Sequence, residues 1–364
     1  MTKLGIIGCG DVAFRSYFPV LEQLGDAQVV ACFDTVADRA RRAAARFPGA
    51  EAYTAYEEFL AHPGLDAVIN LTPAPLHAQV TEAALRAGKH VLSEKPIASK
   101  VDDAQALIEL AKEQGLLLLA APAVMATPRF KWVKRLLASG RIGSPTLAVA
   151  QMATMGPASW REYTGDPTVF YSAAVGPVVD IGVYALHAVT GLLGPARRVQ
   201  AMGGIAIPER TVLAGPHAGK KIQVEANDHV LIHLDFGHSR FAQVLASFAV
   251  PNSKAPAIEL HCTGGTLSLD ITRWYEGYGS IDVYLEDGSE LGVEGWINGL
   301  YPPLPDEGPT FSLIGYGPAH FVRCLAGKEE PILTAEHATH VLEIMNKIGD
   351  SIRQGRALDL DTSF

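Results

Sequence analysis

Short apolar runs alternate with amphipathic stretches over the first 120 residues of the chain. The apolar runs predict strands at residues 4–7, 29–33, 67–71, 90–92 and 116–120. The stretches between them have helical periodicity, and the clearest predict helices at residues 37–47, 76–87 and 101–114. Strands that are apolar on both faces and alternate with helices are typical of a parallel sheet covered on two sides. The pattern therefore predicts a doubly wound α/β domain, with a kink or early break where Pro19 interrupts the first helix, residues 11–24.

Beyond about residue 125 the pattern changes to one helix, predicted at residues 129–139, followed by longer alternating segments. These segments predict a mostly antiparallel sheet, with strands at residues 146–153, 229–236, 240–248 and 281–285. Residues 292–318, rich in glycine and proline, predict a long irregular loop, and residues 335–354 predict a last amphipathic helix. We therefore expect two domains, residues 1–123 and 124–364.

Composition narrows the classes of protein to consider. The 364 residues are 48% hydrophobic and 19% charged, which excludes a chain that is disordered throughout. The formal charge of −9 repels phosphate backbones, so we expect no nucleic-acid partner. The longest apolar runs, such as residues 116–121, are far shorter than the roughly 20 residues of a membrane span, and no secretory signal opens the chain. We therefore expect a cytoplasmic protein with no membrane partner, whose four cysteines are free thiols.

A glycine-rich turn follows the first predicted strand. The sequence Gly8-Cys9-Gly10-Asp11-Val12-Ala13 matches the pattern GxGxxA between a strand and a helix. In this pattern the first glycine permits a tight turn, the second lets the backbone approach a pyrophosphate, and the alanine lets the helix pack closely on the strand. Such a turn alone often does nothing more than reverse the chain, so the inference depends on a second signal.

Asp34 supplies that signal, because it ends the second predicted strand at the distance of about 20 residues expected of a dinucleotide site. Its carboxylate can accept hydrogen bonds from an adenosine ribose and would repel a 2′-phosphate. The sequence therefore predicts NAD as the cofactor, with NADP less favoured. Arg39 is a further candidate contact to the cofactor, and it lies near enough to Asp34 in the sequence to weaken the preference for NAD over NADP. Asp34 could instead, or also, cap the following helix.

Further motifs resemble those of the Gfo/Idh/MocA oxidoreductases, a family named for glucose-fructose oxidoreductase, inositol dehydrogenase and a rhizopine catabolism protein. They are TPxxxH at residues 72–77, AGKHV at residues 87–91 and EKP at residues 94–96. The segment GPVVDIGVYALH at residues 176–187 is similar to the family's GGxxxDxGxHxxD. The resemblance covers essentially the whole chain, although residues 205–225 and 290–316 carry little recognisable pattern.

The resemblance implies an N-terminal Rossmann domain and a C-terminal α/β domain with a large open, mostly antiparallel sheet. One face of that sheet packs helices and the other commonly mediates assembly, so a homodimer or homotetramer is expected. The final helix, residues 335–354, would return towards the Rossmann domain. The motifs also imply contacts to the cofactor by Thr72, Pro73, His77, Glu94 and Lys95, with packing or helix capping as the alternative role of His77.

Four residues are candidates for catalysis. Hydride transfer from a secondary alcohol needs a group that takes up the hydroxyl proton. By resemblance, Lys95 binds the reacting hydroxyl and helps to orient the nicotinamide, and Asp180 contacts the substrate. Tyr184 stands where most members have a catalytic histidine, as in the glucose-fructose oxidoreductase and dihydrodiol dehydrogenase branches. His187, one helical turn further on, is the alternative acid or base.

The remaining signals are weaker. Aromatic side chains at residues 160–171, together with Arg129, are candidates for substrate selectivity, although they suit ordinary packing equally well. His337 and His340 have a spacing that some metal sites use, but no cluster of carboxylates and cysteines accompanies them. We therefore predict a solvated helix face there and no metal.

Taken together, these observations predict an NAD-dependent dehydrogenase whose partner is a small-molecule sugar, sugar derivative or cyclitol. Two alternatives stay open: a glycoside-modifying enzyme that uses transient redox chemistry and elimination, and a non-catalytic dinucleotide-binding sensor. Lys95 and Asp180 favour catalysis, because a sensor has no need of a lysine that handles protons.

Overall fold

The computed structural model describes residues 1–269, 279–286, 295–300 and 311–364. Contacts divide them into two compact units. Of the long irregular loop predicted at residues 292–318, residues 292–294 and 301–310 lie outside the described residues. The prediction is wrong at residues 295–300, which pair as a strand, and at residues 316–318, which begin a helix. The first unit comprises residues 1–131 and 311–342, and the second comprises the other described residues. Within the described part of the chain, no helix is long and apolar enough to span a membrane.

The first unit is built on a six-stranded parallel sheet in the order β3-β2-β1-β4-β5-β6, which confirms the predicted doubly wound domain. Its central strands are buried on both faces. The strand order reverses between β1 and β4, and in such sheets ligands bind beyond the carboxyl ends of the strands at that point. The strands are β1 (Thr2–Ile7), β2 (Ala27–Phe33), β3 (Glu51–Tyr53), β4 (Ala67–Asn70), β5 (His90–Ser93) and β6 (Leu118–Ala120).

Helices connect these strands: α1 (Phe18–Leu21), α2 (Ala37–Ala44), α3 (Tyr56–Leu60), α4 (His77–Arg86) and α5 (Val101–Glu113). A π-helical turn, Ala13–Tyr17, leads directly into α1. Pro19 has no N–H to donate, and the wider turn just before it accommodates this loss without a break. The chain therefore does not break at Pro19, and the helix ends at Leu21, three residues before the predicted end at residue 24.

The second unit is built on a nine-stranded sheet in the order β16-β15-β14-β13-β7-β12-β11-β8-β17. All neighbouring strands are antiparallel except β7 and β12, which confirms the predicted mostly antiparallel sheet. A separate hairpin pairs β9 with β10. From residue 128 onward the elements are α6 (Pro128–Ala138), β7 (Pro145–Ala153), α7 (Val183–Leu193), β8 (Arg198–Gly204), β9 (Glu209–Thr211), β10 (Lys221–Gln223), β11 (His229–Gly237), β12 (Arg240–Ser247), β13 (Ile258–Cys262), β14 (Gly265–Leu269), β15 (Ile281–Leu285), β16 (Gly295–Leu300), α8 (Tyr316–Leu325), α9 (Ala335–Gln354) and β17 (Leu358–Asp359).

Small residues let the helix α7 and the turn before it approach this sheet closely. Ala148 and Ala150 of β7 and Ala246 of β12 are buried. A Cβ atom on Gly182 would lie 2.9 Å from the Cβ of Ala246, so a larger residue would push the turn away from the sheet. This contact fixes the distance between the sheet and the turn that carries Asp180, which lies two residues before Gly182.

The chain between α8 and α9 extends the edge of the six-stranded sheet. The N–H of Ala120 donates to the carbonyl of Leu333 at 3.0 Å. Glu329 lies four residues before Leu333 in the same connection. It accepts hydrogen bonds from His320 at 3.1 Å and from Arg323 at 2.7 Å, and it also pairs with Lys131. These ionic contacts hold the connection beside β6, and residues 335–342 of α9 belong to the same unit.

Candidate functional site

The glycine turn after β1 has the geometry that its sequence predicts. Gly8 has φ of +89°, and a Cβ atom there would lie 2.8 Å from the carbonyl oxygen of Leu71, so only glycine fits. Above Gly10 a Cβ atom would meet nothing within 4 Å. Cys9 is buried, Val12 is half-buried, and the exposed Asp11 pairs with Arg15. The turn therefore leaves backbone beside Gly10 that a ligand can approach.

Asp34 lies beside this turn at the end of β2 and is largely buried. One carboxylate oxygen accepts the N–H of Cys9 at 2.9 Å, and the other accepts the N–H of Val36 at 2.8 Å. A carboxylate has about four lone-pair positions, so each oxygen retains capacity for a further donor. The alternative role as a helix cap is wrong, because Val36 occupies the cap position of α2. Arg39 lies exposed on α2.

A buried hydrogen-bond network shapes the loop after β4, where Thr72 and Pro73 lie. Asn70, fully buried, accepts the N–H and the hydroxyl of Thr72 at 3.2 and 2.7 Å. Its amide donates to the carbonyl of His77 and the hydroxyl of Thr81, both at 3.1 Å. Asn70 is a site residue that the sequence pattern does not reveal, because its apolar neighbours mark only a strand.

His77 joins this loop to the one that carries Lys95. Its buried ring places Nδ1 2.6 Å from the carbonyl oxygen of Pro96 and Nε2 2.7 Å from that of Thr72. Both nitrogens thus face backbone groups of the protein. The ring therefore joins the two loops through their backbone, as its packing role requires, and the contact of His77 with the cofactor stays a prediction.

Glu94 and Lys95 follow β5 at its carboxyl end, and both are half-buried. One carboxylate oxygen of Glu94 accepts the hydroxyl of Tyr17 at 2.7 Å, and the other accepts the N–H of Lys95 at 2.9 Å. Glu94 therefore connects the first helical segment to the backbone of the candidate catalytic lysine. Tyr17 is a second residue that no sequence motif marks.

The residues at the carboxyl ends of β1, β2, β4 and β5 fit a dinucleotide. The turn is open at Gly10, where a pyrophosphate would need close approach of the backbone. Asp34 presents an oriented carboxylate, as recognition of a ribose requires. The chemistry of this set agrees with the cofactor that the motif predicts.

In the second unit, the turn before α7 and α7 itself carry the other three candidate catalytic residues. Asp180 lies in the π-helical turn Val178–Gly182, and Tyr184 and His187 are buried in the first two turns of α7. Tyr171 lies close enough for the Asp180 carboxylate to influence it. Burial raises the pKa of Tyr171, the N–H of Ala158 and the Arg210 guanidinium lower it, and Asp180 raises it further.

A buried ion pair between Arg210 and Asp228 lies beside the ring of Tyr171. Arg210 of β9 donates to Asp228 at 2.6 Å and to the carbonyl of Met155 at 3.1 Å, and its guanidinium lies 5.6 Å from the centre of the Tyr171 ring. Asp228 also accepts the N–H of Ala206 at 2.6 Å. The sequence motifs reveal neither charged residue, because Arg210 lies within residues 205–225, which carry little recognisable pattern, and Asp228 follows three positions after them.

Replacing Arg210 with methionine should lower the free energy of unfolding by about 3–5 kcal/mol, because Asp228 would remain buried without its counter-ion. Urea unfolding followed by circular dichroism measures the change. Arg210→Lys keeps the positive charge and serves as the matched control, for which we expect a smaller loss. Equal stability of the methionine variant and the wild type would contradict the role given to the pair.

The predicted solvated face of the last helix is wrong. His337 and His340 are both buried, because the first turns of α9 pack with neighbouring Ala338 and Val341 in the apolar core. In the residues that the structure describes, no group of three or more histidine, cysteine, aspartate or glutamate residues is arranged to hold a metal ion. Arg129 is also buried, at the start of α6.

Two family models match the chain. Residues 2–121 match an oxidoreductase family with an NAD-binding Rossmann fold, GFO_IDH_MocA. Residues 130–268 match the GFO/IDH/MocA C-terminal domain. The first match includes the whole six-stranded sheet, and the second runs from α6 into β14 and ends before β15.

Individual proteins agree with these family matches. The dTDP-3,4-didehydro-2,6-dideoxy-alpha-D-glucose 3-reductase of Actinomadura kijaniata is 38% identical over 194 residues, which are 53% of this chain and 56% of that protein. The scyllo-inositol 2-dehydrogenase (NADP(+)) IolW of Bacillus subtilis is 25% identical over 359 residues, 98% of this chain and 87% of that protein. A solved NAD binding oxidoreductase from Klebsiella pneumoniae shares the fold, with a TM-score of 0.83 over 100% of both chains at 22% identity.

Proposed function

Because this chain belongs to the Gfo/Idh/MocA family of oxidoreductases, we propose that it transfers a hydride between a secondary alcohol of a sugar, sugar derivative or cyclitol and a nicotinamide dinucleotide. The observation that carries the proposal is the set of groups at the carboxyl ends of neighbouring strands: the open turn at Gly10, the oriented carboxylate of Asp34, and Lys95. The names of the two relatives support the substrate class, since one is a reductase of a deoxysugar nucleotide and the other an inositol dehydrogenase.

The proposal includes NAD as the preferred form of the cofactor. Its support is Asp34, whose carboxylate is fixed by the N–H groups of Cys9 and Val36. A carboxylate held in this place can accept the ribose hydroxyls of NAD and repels the 2′-phosphate of NADP. Arg39, the nearby cation that would favour NADP, lies exposed on α2.

The bound nicotinamide supplies the carbon that accepts or returns the hydride. From the first unit, we assign to Lys95 the binding of the reacting hydroxyl. From the second unit, we assign to Tyr184 the uptake and return of the hydroxyl proton, with His187 as the alternative and Asp180 as a contact to the substrate. The burial of Tyr184 and His187 suits proton transfer, because bulk water then competes less for the transferred proton.

The proposal is tested with NAD or NADP and a panel of aldoses, sugar acids, glycosides and inositols. We expect reduced-nicotinamide fluorescence with at least one of these substrates, and a larger kcat/KM with NAD than with NADP. A clearly larger kcat/KM with NADP would overturn the cofactor preference. Dinucleotide binding without turnover of any substrate would overturn the dehydrogenase and favour a sensor.

A further inference from the structure

Three half-buried aromatic side chains gather in the segment between β7 and the turn that carries Asp180. The ring centre of Tyr163 lies 6.3 Å from that of Trp160 and 5.7 Å from that of Phe170, and Trp160 lies 6.4 Å from Phe170. Tyr163 meets Trp160 and Phe170 edge to face, at 82° and 74°, and the planes of Trp160 and Phe170 are tilted by 54°. Each ring keeps part of its surface in contact with solvent, and we refer to the three as the aromatic cluster.

The hairpin of β9 and β10 holds the segment that carries the aromatic cluster. The N–H of Leu213 donates to the carbonyl of Ala158 at 2.9 Å. Lys220 pairs with Asp166 at 2.6 Å, and Asp166 also accepts the N–H of Thr168 at 3.0 Å. Because these contacts lie before and after Tyr163, they restrain the backbone on both sides of it. The cluster is thus a fixed surface.

The residue that follows the aromatic cluster lies within the electrostatic influence of the candidate catalytic aspartate. Tyr171 directly follows Phe170, its hydroxyl accepts the N–H of Ala158 at 2.9 Å, and its buried ring lies within electrostatic reach of Asp180. Phe170 is therefore one residue away from a side chain that the charge of Asp180 influences. The aromatic cluster thus ends ten residues before Asp180 along the chain and belongs to the same compact unit.

The charges of the hairpin are neutralised within the protein. Lys220 pairs with Asp166, Lys221 with Glu209 at 2.8 Å, and Arg210 with Asp228. Arg161 lies exposed directly before the acidic Glu162. This surface therefore suits an uncharged group with an apolar face better than it suits a phosphate.

We propose that Trp160, Tyr163 and Phe170 bind the apolar C–H face of a six-membered polyhydroxylated ring, and that they select ring substrates over open-chain polyols. The inference rests on the proposed function and names a subsite of it. The C–H groups of a pyranose or cyclitol form a flat apolar patch that packs on an aromatic ring, whereas a flexible open chain presents no such patch. Fixing rigid rings in advance also reduces the entropy lost on binding.

The test compares Trp160→Ala with the wild type on two ring probes, D-glucose and myo-inositol, and on the open-chain probe D-glucitol. For each ring probe that is a substrate, KM should rise about tenfold in the variant, which corresponds to about 1.4 kcal/mol, with kcat little changed. Trp160→Phe should retain most of the affinity, because it keeps an aromatic face. The matched control is Val169→Ala, since Val169 is exposed in the same segment and lies outside the cluster. KM for D-glucitol, where it is turned over, should not change.

A binding measurement separates this inference from the proposed function. With NADH present and no turnover, the ring probes should quench the tryptophan fluorescence of the wild type, and Trp160→Phe should remove most of that quench. Quenching without turnover would overturn the dehydrogenase and support the subsite. Turnover with unchanged KM in Trp160→Ala, or an equal rise in KM for ring and open-chain probes, would overturn the subsite and leave the dehydrogenase standing.

Discussion

Replacing Tyr184 with phenylalanine should lower kcat by about 10²- to 10⁴-fold and leave the affinity for NAD nearly unchanged. Phenylalanine keeps the ring that packs in α7 and removes only the hydroxyl, so the loss isolates proton transfer from packing. Steady-state kinetics gives kcat, and quenching of NADH fluorescence gives the dinucleotide affinity. The surviving activity should also lose one limb of its pH profile, because the group that titrates in the reaction is gone.

The companion variant is His187→Ala, since His187 is buried in the same helix and is the other candidate acid or base. We expect this variant to retain far more activity than Tyr184→Phe. Full activity of Tyr184→Phe together with an inactive His187→Ala variant would transfer the proton-handling role to His187. The pH profile of the active variant would then identify the group that remains.

Replacing Lys95 with alanine has the second large expected effect, a fall in kcat/KM of about 10²- to 10³-fold. The reason is the loss of the ammonium group that we assign to the reacting hydroxyl. NAD should still bind, because the turn at Gly8 and the carboxylate of Asp34 are retained. Reduced-nicotinamide fluorescence measures turnover, and a separate titration measures dinucleotide binding.

Lys100→Ala is the matched control for this substitution. Lys100 lies five residues further along the chain, is exposed, and directly precedes α5. Its removal deletes the same charge and leaves Glu94 and its contact with Tyr17 in place. Similar losses in the two lysine variants would indicate a general effect of charge and argue against a specific role of Lys95.

Much of the first sheet can be predicted from the sequence, because its buried strands are continuous apolar runs. The strand β3 cannot be predicted in this way, since two of its three residues are exposed and the third is half-buried. Pairing with the neighbouring β2 defines this strand, and no apolar run marks it. The helix α3 is missed for a related reason, because it has only five residues, too few for a clear helical period.

Within the candidate site, the sequence predicts residues whose constraint is local and misses those whose partners are distant. Gly8 can be recognised from the sequence, because its positive φ and the close backbone contact beside it both require glycine at that one position. Tyr17 meets Glu94 across 77 positions of sequence, and Arg210 meets Asp228 across 18 positions that lack a clear pattern. His77 is found by its motif, but the motif does not reveal that the carbonyl groups of Thr72 and Pro96 face its ring.

The last residues of the chain cover one edge of the nine-stranded sheet. The strand β17 pairs with the start of β8, and further along β8 the N–H of Ala201 donates to the hydroxyl of Ser351 at the end of α9, at 2.9 Å. Glu343 holds the tail in place by accepting the N–H groups of Asp361 and Thr362 at 2.9 and 2.8 Å. An uncovered strand edge is a template for pairing with another chain. The tail thus occupies the edge of β8 at Arg198 and Val199, and we expect that shortening the chain by a few residues would uncover backbone groups there with which another chain could pair.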